Sequence, residues 1–325
     1  MKKYLIIRFS SIGDIVLTSP IIRCIKKQQP EVTLHYLTKS AFGFILKTNN
    51  YVDKVYTINN DISEVIKELK AENYDLVIDL HKNLRTFRLK QKLKCKSVSF
   101  PKLNFQKFLL TTFKIRKMPD VHIVSRYFKT VETFGITNDQ QGLDYFLTES
   151  DIINITDYGI KEPYIAFAIG AQFATKKLPK EKIVELLSKV EKQVVLLGGS
   201  GDEEAGIFIA NNCKNSINLC GKLSLNQSAS VVQQAEKVIS HDTGLMHIAS
   251  AFNKPIISIW GNTVPELGMY PYQPKKPTNY TIHQVDVSCR PCSKIGYQKC
   301  PKKHFNCMVK QNLTEIAEKI NQNAN

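Results

Sequence analysis

The chain has 325 residues, of which 43% are apolar and 23% charged, and its net charge is +16. That make-up suits a globular protein of two ordinary domains; it has no run of about eighteen apolar residues to cross a bilayer and is too cysteine-poor, at eight, for a disulfide scaffold. The four-residue apolar stretch before Arg8 is too short for a signal peptide, so reduced thiols and a cytoplasmic location are expected.

Apolar β-rich runs alternate with amphipathic helical patterns from the start. "KYLIIRF", a helix to about Gln28, "VTLHYLT", "KVYTI", a helix over 61–72 and "YDLVIDL" come first. A polar stretch over 148–163 interrupts the rhythm. It then resumes with "YIAFAIG", a helix over 179–192, "QVVLLGG", a helix over 202–212, "SINLCG", a helix near 225–236, "KVISHD", a helix over 243–252 and "PIISIWG". Such alternation predicts parallel sheets covered by helices on both faces. The expected architecture is α/β: two doubly wound, Rossmann-like domains, residues 1–150 and 151–325, with ligand at the carboxyl ends of the strands.

The first strand runs into "RFSSIGDIVLTSP", where a nucleotide-binding turn would carry several glycines. Here Gly13 makes the bend and Asp14 follows it in the first helical turn, with Ser10 or Ser11 available as cap and Pro20 set to kink or end the first turns. A helix start favours an ionised carboxylate.

The charge is uneven, because residues 1–150 hold 25 Lys/Arg against 14 Asp/Glu, or +11, leaving +5 for the rest. From His81 to Pro119 there are twelve basic residues and no acid, with Phe87, Phe100, Phe105, Phe108 and Phe113 interleaved. Twelve like charges repel unless an anionic partner neutralises them. A nucleic acid is one such partner, but the chain has no helix-turn-helix, zinc-finger or RNP signature, and no nucleic acid is expected.

In the second half, Lys176 lies in a loop after a strand, at the rim where a lysine can neutralise a diphosphate. "LLGGSGDEEAG" is a further glycine-rich strand-to-helix turn on that rim. The sharpest motif is "SHDTGLMHIAS" over 240–250. Asp242 or Thr243 would cap its helix, the amides of Thr243, Gly244 and Leu245 would face an anion, and His247 would sit one turn inside. Cys289, Cys292, Cys300 and Cys307 run C-x2-C-x7-C-x6-C with His304 nearby. A zinc centre would need four such ligands to converge tetrahedrally, and a structural loop is the favoured reading.

Taken in order, "LIIRFSSIGDIVLTSPIIRCIKKQQP", "YDLVIDLHKNLRT", "HIVSRYFKTVETFGI", "TKKLP", "GKLSL", "SHDTGLMHIASAFNKPIISIWGNT" and "CRPCSKIGYQKCPKKHFNCM" resemble the bacterial heptosyltransferases of glycosyltransferase family 9. The resemblance covers nearly the whole chain, and its specific parts are the Gly13-Asp14 pair and the D-T-G-x-x-H motif. It implies a GT-B fold, with the two domains facing each other across a cleft, the first binding acceptor and the second a nucleotide sugar. It further implies an inverting transfer, without metal or other cofactor, from a donor such as ADP-heptose to a lipopolysaccharide core acceptor, an anionic lipid-linked saccharide. On that basis Asp14 matches the catalytic base, with Gly13 beside it, and Lys176, Thr243, Gly244 and Leu245 match the diphosphate-binding set. Asp242 matches a donor-sugar contact, while Glu203 and Leu223 fall where the nucleoside is held. The absence of an Asp-x-Asp motif fits a metal-free transfer.

Lys82, Arg85, Arg88 and Arg126 become candidate acceptor contacts, and the basic run a means of docking at the inner, anionic face of the cytoplasmic membrane, each basic residue there contributing about 1 kcal/mol. A family member using another nucleotide sugar is the alternative within the class, since "CGKLSL" is too generic to name the base. A sugar-nucleotide sensor without activity would leave Asp14, Lys176 and Asp242 unexplained.

Overall fold

The computed structural model describes residues 2–322 and divides into two compact units. The first comprises Met1–Leu103 and Val121–Phe146. Its elements are β1 (Lys3–Ile7), α1 (Ile12–Val16), α2 (Ser19–Gln28), β2 (Thr33–Lys39), α3 (Phe44–Lys47), β3 (Lys54–Ile58), α4 (Ile66–Ala71), β4 (Leu76–Asp79), α5 (Leu84–Leu93) and β5 (Lys96–Ser99). The chain then leaves for the second unit through α6 (Asn104–Phe108) and returns with α7 (Ile123–Phe128).

The five strands are parallel in the order β3-β2-β1-β4-β5. β1 lies in the middle because "YLII" is buried on both faces, as a central parallel strand must be. Its Leu5 and Ile7 pack with Leu37, Tyr56, Leu69, Val77 and Leu89. The strand order reverses beside β1, so the loops after β1 and β4 flank the switch point where open sheets of this kind bind ligands. The first predicted helix is two, α1 and α2, with Pro20 near the start of the second, where its missing amide costs nothing.

The second unit comprises Asn104–Asp120 and Leu147–Asn325. After α6 come β6 (Tyr164–Ala168), α8 (Lys180–Leu187), β7 (Gln193–Leu197), α9 (Glu203–Asn212), β8 (Ser216–Asn218), α10 (Leu225–Gln234), β9 (Lys237–His241), α11 (Gly244–Ala251), β10 (Ile256–Trp260), β11 (Tyr280–Gln284), α12 (Asn306–Val309) and α13 (Leu313–Asn321). Its six strands are parallel in the order β11-β10-β9-β6-β7-β8. Alternation along β6 builds two cores: Ile165 and Phe167 face α8, α9 and α13 through Ile183, Leu186, Ile209 and Ile316, whereas Tyr164 and Ala166 face α10 and α11 through Val231, Met246 and Ala249.

The expected division after residue 150 differs from this in a four-residue shift of the boundary, to 146, and in the stretch 104–120. Those residues belong to the second unit because Leu110 is buried against Val264 and Leu267, and Arg116 pairs with Glu266. Two edge strands, β5 and β11, were not expected from sequence. "KSVS" is half exposed with no apolar run, and "YTIHQ" is only partly buried.

Candidate functional site

In the first unit the chain passes from β1 through Arg8 into α1, whose N-cap residue is Ser11. Asp14 occupies the third helical position. Its carboxylate accepts hydrogen bonds from the Ser11 amide at 3.0 Å and the Ser11 hydroxyl at 2.9 Å, and pairs with the Arg8 guanidinium at 2.5 Å. Burial alone would push the Asp14 pKa up. Arg8 and the Ser11 donors outweigh it and hold the carboxyl at about 2, so it is ionised throughout the neutral range. Arg8 is itself fastened to the carbonyls of Ser10 at 2.8 Å and Leu80 at 2.5 Å, and the Asp14 charge raises its pKa despite burial.

Arg8 is a residue that sequence reasoning missed. The signal was there: a cation ending the apolar run "YLII" is buried, and a buried charge requires a partner. Arg8→Met removes the attractive charge, and the Asp14 carboxyl, followed by NMR, is expected to titrate about 1–3 units higher. An unmoved titration would show that Arg8 does not govern the carboxyl.

On the neighbouring strand end, Asp79 is fully buried, pairs with Lys90 at 2.9 Å, and accepts the amides of His81 at 3.0 Å and Lys82 at 2.7 Å. It thereby shapes the turn into α5. Burial, with Arg8 and Lys102 nearby, pushes the His81 pKa down to about 4, leaving a neutral ring edge-on to Phe9. The Lys82 ammonium reaches the Phe100 carbonyl at 3.2 Å, the Arg85 guanidinium lies over the Phe9 ring at 5.4 Å, and Arg88 is exposed on α5. Gly13 is buried as the second residue of α1, so the strand-to-helix bend expected at Gly13 falls before it. Arg126, the fourth candidate acceptor contact, differs from the other three in its burial. It is buried on α7, because α7 turns that face inward with Val124 and Tyr127, and burial pushes its pKa down. Nor is the basic run wholly uncompensated, since Lys90 and Arg116 find acids elsewhere in the chain, at Asp79 and Glu266.

In the second unit the loops after β6, β9 and β10 meet at one rim. The Lys176 ammonium is 2.6 Å from the Asp242 carboxylate and 3.2 Å from its carbonyl, and the Thr263 hydroxyl donates to the same carboxylate at 2.9 Å. Thr263 was not anticipated, although "WGNT" ends a strand on this rim. Neither Asp242 nor Thr243 caps α11 by its side chain: Asp242 is held by Lys176, and the Thr243 hydroxyl lies 3.2 Å from that of Ser240. The first turn of α11, with Gly244 and Leu245, therefore carries its positive end without a side-chain cap. His247 is buried one turn inside.

Lys177, the neighbour of Lys176, turns to Asp202, at 2.5 Å. Asp202 also accepts the Gly199 amide at 3.0 Å, and a Cβ placed on Gly170, the second residue after β6, would come within 2.3 Å of its carboxylate. Glu203 is exposed at the start of α9 and lies against the loop that carries Leu223: a Cβ on Gly221 would sit 3.4 Å from its carboxylate. Leu223 is half-buried against the core shared by α10 and α11.

In the cysteine segment the Cys289 sulfur is 3.8 Å from His304 Nε2, the Cys292 thiol donates to the Cys289 carbonyl at 3.3 Å, and Cys307 is buried in the core of the second unit. Burial pushes the Cys292 and Cys307 thiols up to about 11. Among the described residues no three His, Cys, Asp or Glu side chains converge as a metal site would require.

These geometries can be set beside known proteins. The curated lipopolysaccharide heptosyltransferase 1 of Pseudomonas aeruginosa is 27% identical, over 90% of this chain and 86% of its own. Among solved structures, a family 9 glycosyltransferase from Veillonella parvula superposes with a TM-score of 0.77 at 22% identity, covering 98% of this chain and 97% of that one. The E. coli heptosyltransferase WaaC with ADP gives 0.70 at 22% identity, covering 99% and 100%. Those likenesses establish the fold, two parallel-sheet α/β units of the GT-B type. The family model for glycosyltransferase family 9 (heptosyltransferase) matches residues 62–303, and the chain belongs to that family.

Proposed function

We propose that the protein is an inverting, metal-independent heptosyltransferase that moves heptose from ADP-heptose to a lipopolysaccharide core acceptor at the inner face of the cytoplasmic membrane. The observation that carries this reading is the rim of the second unit. In a family 9 chain, a lysine and an uncapped helix N-terminus stand at the end of the central strands, the electrostatic partners that a leaving diphosphate needs.

In the reaction so read, the acceptor oxygen forms a bond to the anomeric carbon as the bond from that carbon to the diphosphate oxygen breaks, and the electron pair leaves with the diphosphate. Lys176 and the first-turn amides of Thr243, Gly244 and Leu245 stabilise that charge in the place a divalent ion would otherwise take. Asp242 positions the sugar, and Glu203 and Leu223 the nucleoside. Asp14 takes the acceptor proton. A carboxylate held at about 2 is a weak base but is always in its reactive form, and a hydroxyl grows acidic as its oxygen bonds to carbon, so proton transfer comes late. Lys82, Arg85 and Arg88 supply positive charge for an anionic acceptor, and Arg126 adds a buried positive charge on α7.

A thermal-shift screen with ADP, UDP and GDP and their sugars tests the donor, because a ligand that binds the folded state raises its melting temperature. ADP and ADP-heptose are expected to raise it, with transfer unaffected by EDTA. A rise with UDP or GDP in place of ADP would move the protein to a different donor.

A further inference from the structure

We infer that the segment Asn104–Lys117 is an interfacial insertion element that seats the enzyme in the headgroup region of an anionic bilayer. The inference deepens the proposed function and rests on its lipid-linked acceptor for its purpose, though not for its evidence. α6 continues through a π-helical turn, Leu109–Phe113, into a ten-residue helical stretch. One side of it is fastened to the second unit. Leu110 is buried against Val264 and Leu267, the Lys114 ammonium donates to the carbonyls of Thr111 at 2.6 Å and Pro291 at 2.8 Å, and Arg116 pairs with Glu266. The stretch is therefore a fixed projection.

What it projects is apolar. Phe105 is 69% exposed, Phe113 60%, Phe108 49% and Ile115 42%, and the Phe108 and Phe113 rings pack edge to face with centroids 5.6 Å apart. Single exposed apolar side chains are ordinary, but four large ones within eleven residues, two of them already packed together, form a surface that water disfavours.

The charge around this surface selects the occupant. Lys107 and Lys117 are interspersed with the apolar side chains, Lys114 and Arg116 being engaged by the Pro291 carbonyl and Glu266, and no acid occurs between His81 and Pro119. A second copy would set one basic face against another, in a chain whose net charge is +16. An anionic lipid surface is complementary to both halves of the pattern: the aromatic rings enter the acyl boundary while the lysines meet the headgroups.

The test uses the full chain with vesicles of phosphatidylcholine, with and without phosphatidylglycerol. The wild type is expected to sediment with the anionic vesicles, and Phe105→Ser/Phe108→Ser/Phe113→Ser, which leaves every charge in place, to partition at least about tenfold more weakly. ADP-induced melting shifts and transfer to a delipidated acceptor should be unchanged in that variant. Phe113→Trp adds a reporter, since the native Trp260 is fully buried, and its emission should move to the blue on adding anionic vesicles. Equal partitioning of the triple variant, or an emission that stays water-like on bound vesicles, would overturn insertion and leave attraction by charge alone. A dimer that the triple variant dissociates would also overturn it, by making a second copy the occupant. Phe-dependent vesicle binding without transfer from any nucleotide sugar would instead support the insertion element while refuting the proposed activity.

Discussion

Asp14→Asn is expected to lower turnover by about 10²–10⁴, the range for loss of a general base, while ADP affinity is retained. The substitution keeps the shape of the side chain and removes its capacity to accept a proton. It also strips the buried Arg8 of its counter-charge, and breaking one side of a buried pair costs about 3–5 kcal/mol, so a lower melting temperature is expected too. Kinetics well below the variant's melting temperature, with an ADP titration on the same sample, separate the two effects. Normal turnover would remove Asp14 from the base's role.

The same pair gives a pH dependence whose sign is set by the direction of the shift. The Asp14 carboxyl has a folded pKa of about 2 against an ordinary 3.8, so its contribution to stability is fully present above about pH 4 and is lost as pH falls towards 2. With the side chain 22% exposed, the shift is worth about 2 kcal/mol. Acid unfolding of Asp14→Asn should lack that component, visible as a shallower loss of melting temperature between pH 4 and 2.

Lys176→Ala is the second large effect expected, acting on the donor. Losing a charge-assisted contact to a diphosphate should weaken ADP by about tenfold to a hundredfold. Turnover should fall further, by about 10²–10³, because charge on the leaving group grows in the transition state. The Lys176–Asp242 pair sharpens this expectation. Without the lysine, the Asp242 carboxylate keeps the Thr263 hydroxyl but loses its counter-charge beside the diphosphate. Asp242→Asn should therefore bind ADP at least as well as the wild type yet transfer poorly, with the sugar left unpositioned. Calorimetric titration of ADP against both variants checks the contrast. Equal affinity in Lys176→Ala would exclude Lys176 from the diphosphate site.

Where apolar runs are continuous, local sequence is enough to locate structure. "YLII", "YIAF", "VVLL" and "IISIW" became central strands because a parallel strand buried on both faces has to be nearly continuously apolar, Ser258 being the one polar residue among them. The Gly13-Asp14 and D-T-G-x-x-H motifs likewise stand in the first turns of helices that follow strands. The edge strands β5 and β11 left no such trace, since half-exposed strands need no apolar run.

By itself, then, the sequence determined the two-unit α/β architecture through local periodicity, and, through motifs resembling those of a known family, the stretches at which chemistry can occur. Only the tertiary structure decided that Arg8 holds the Asp14 carboxylate, that Lys176 answers to Asp242 while Lys177 answers to Asp202, that Arg126 is buried, and that residues 104–120 belong with the second unit. The physical reason is common to these cases. A charge selects its partner by distance and burial, and Lys176 and Asp242 are 66 positions apart until β6 and β9 pair and bring their loops to one rim.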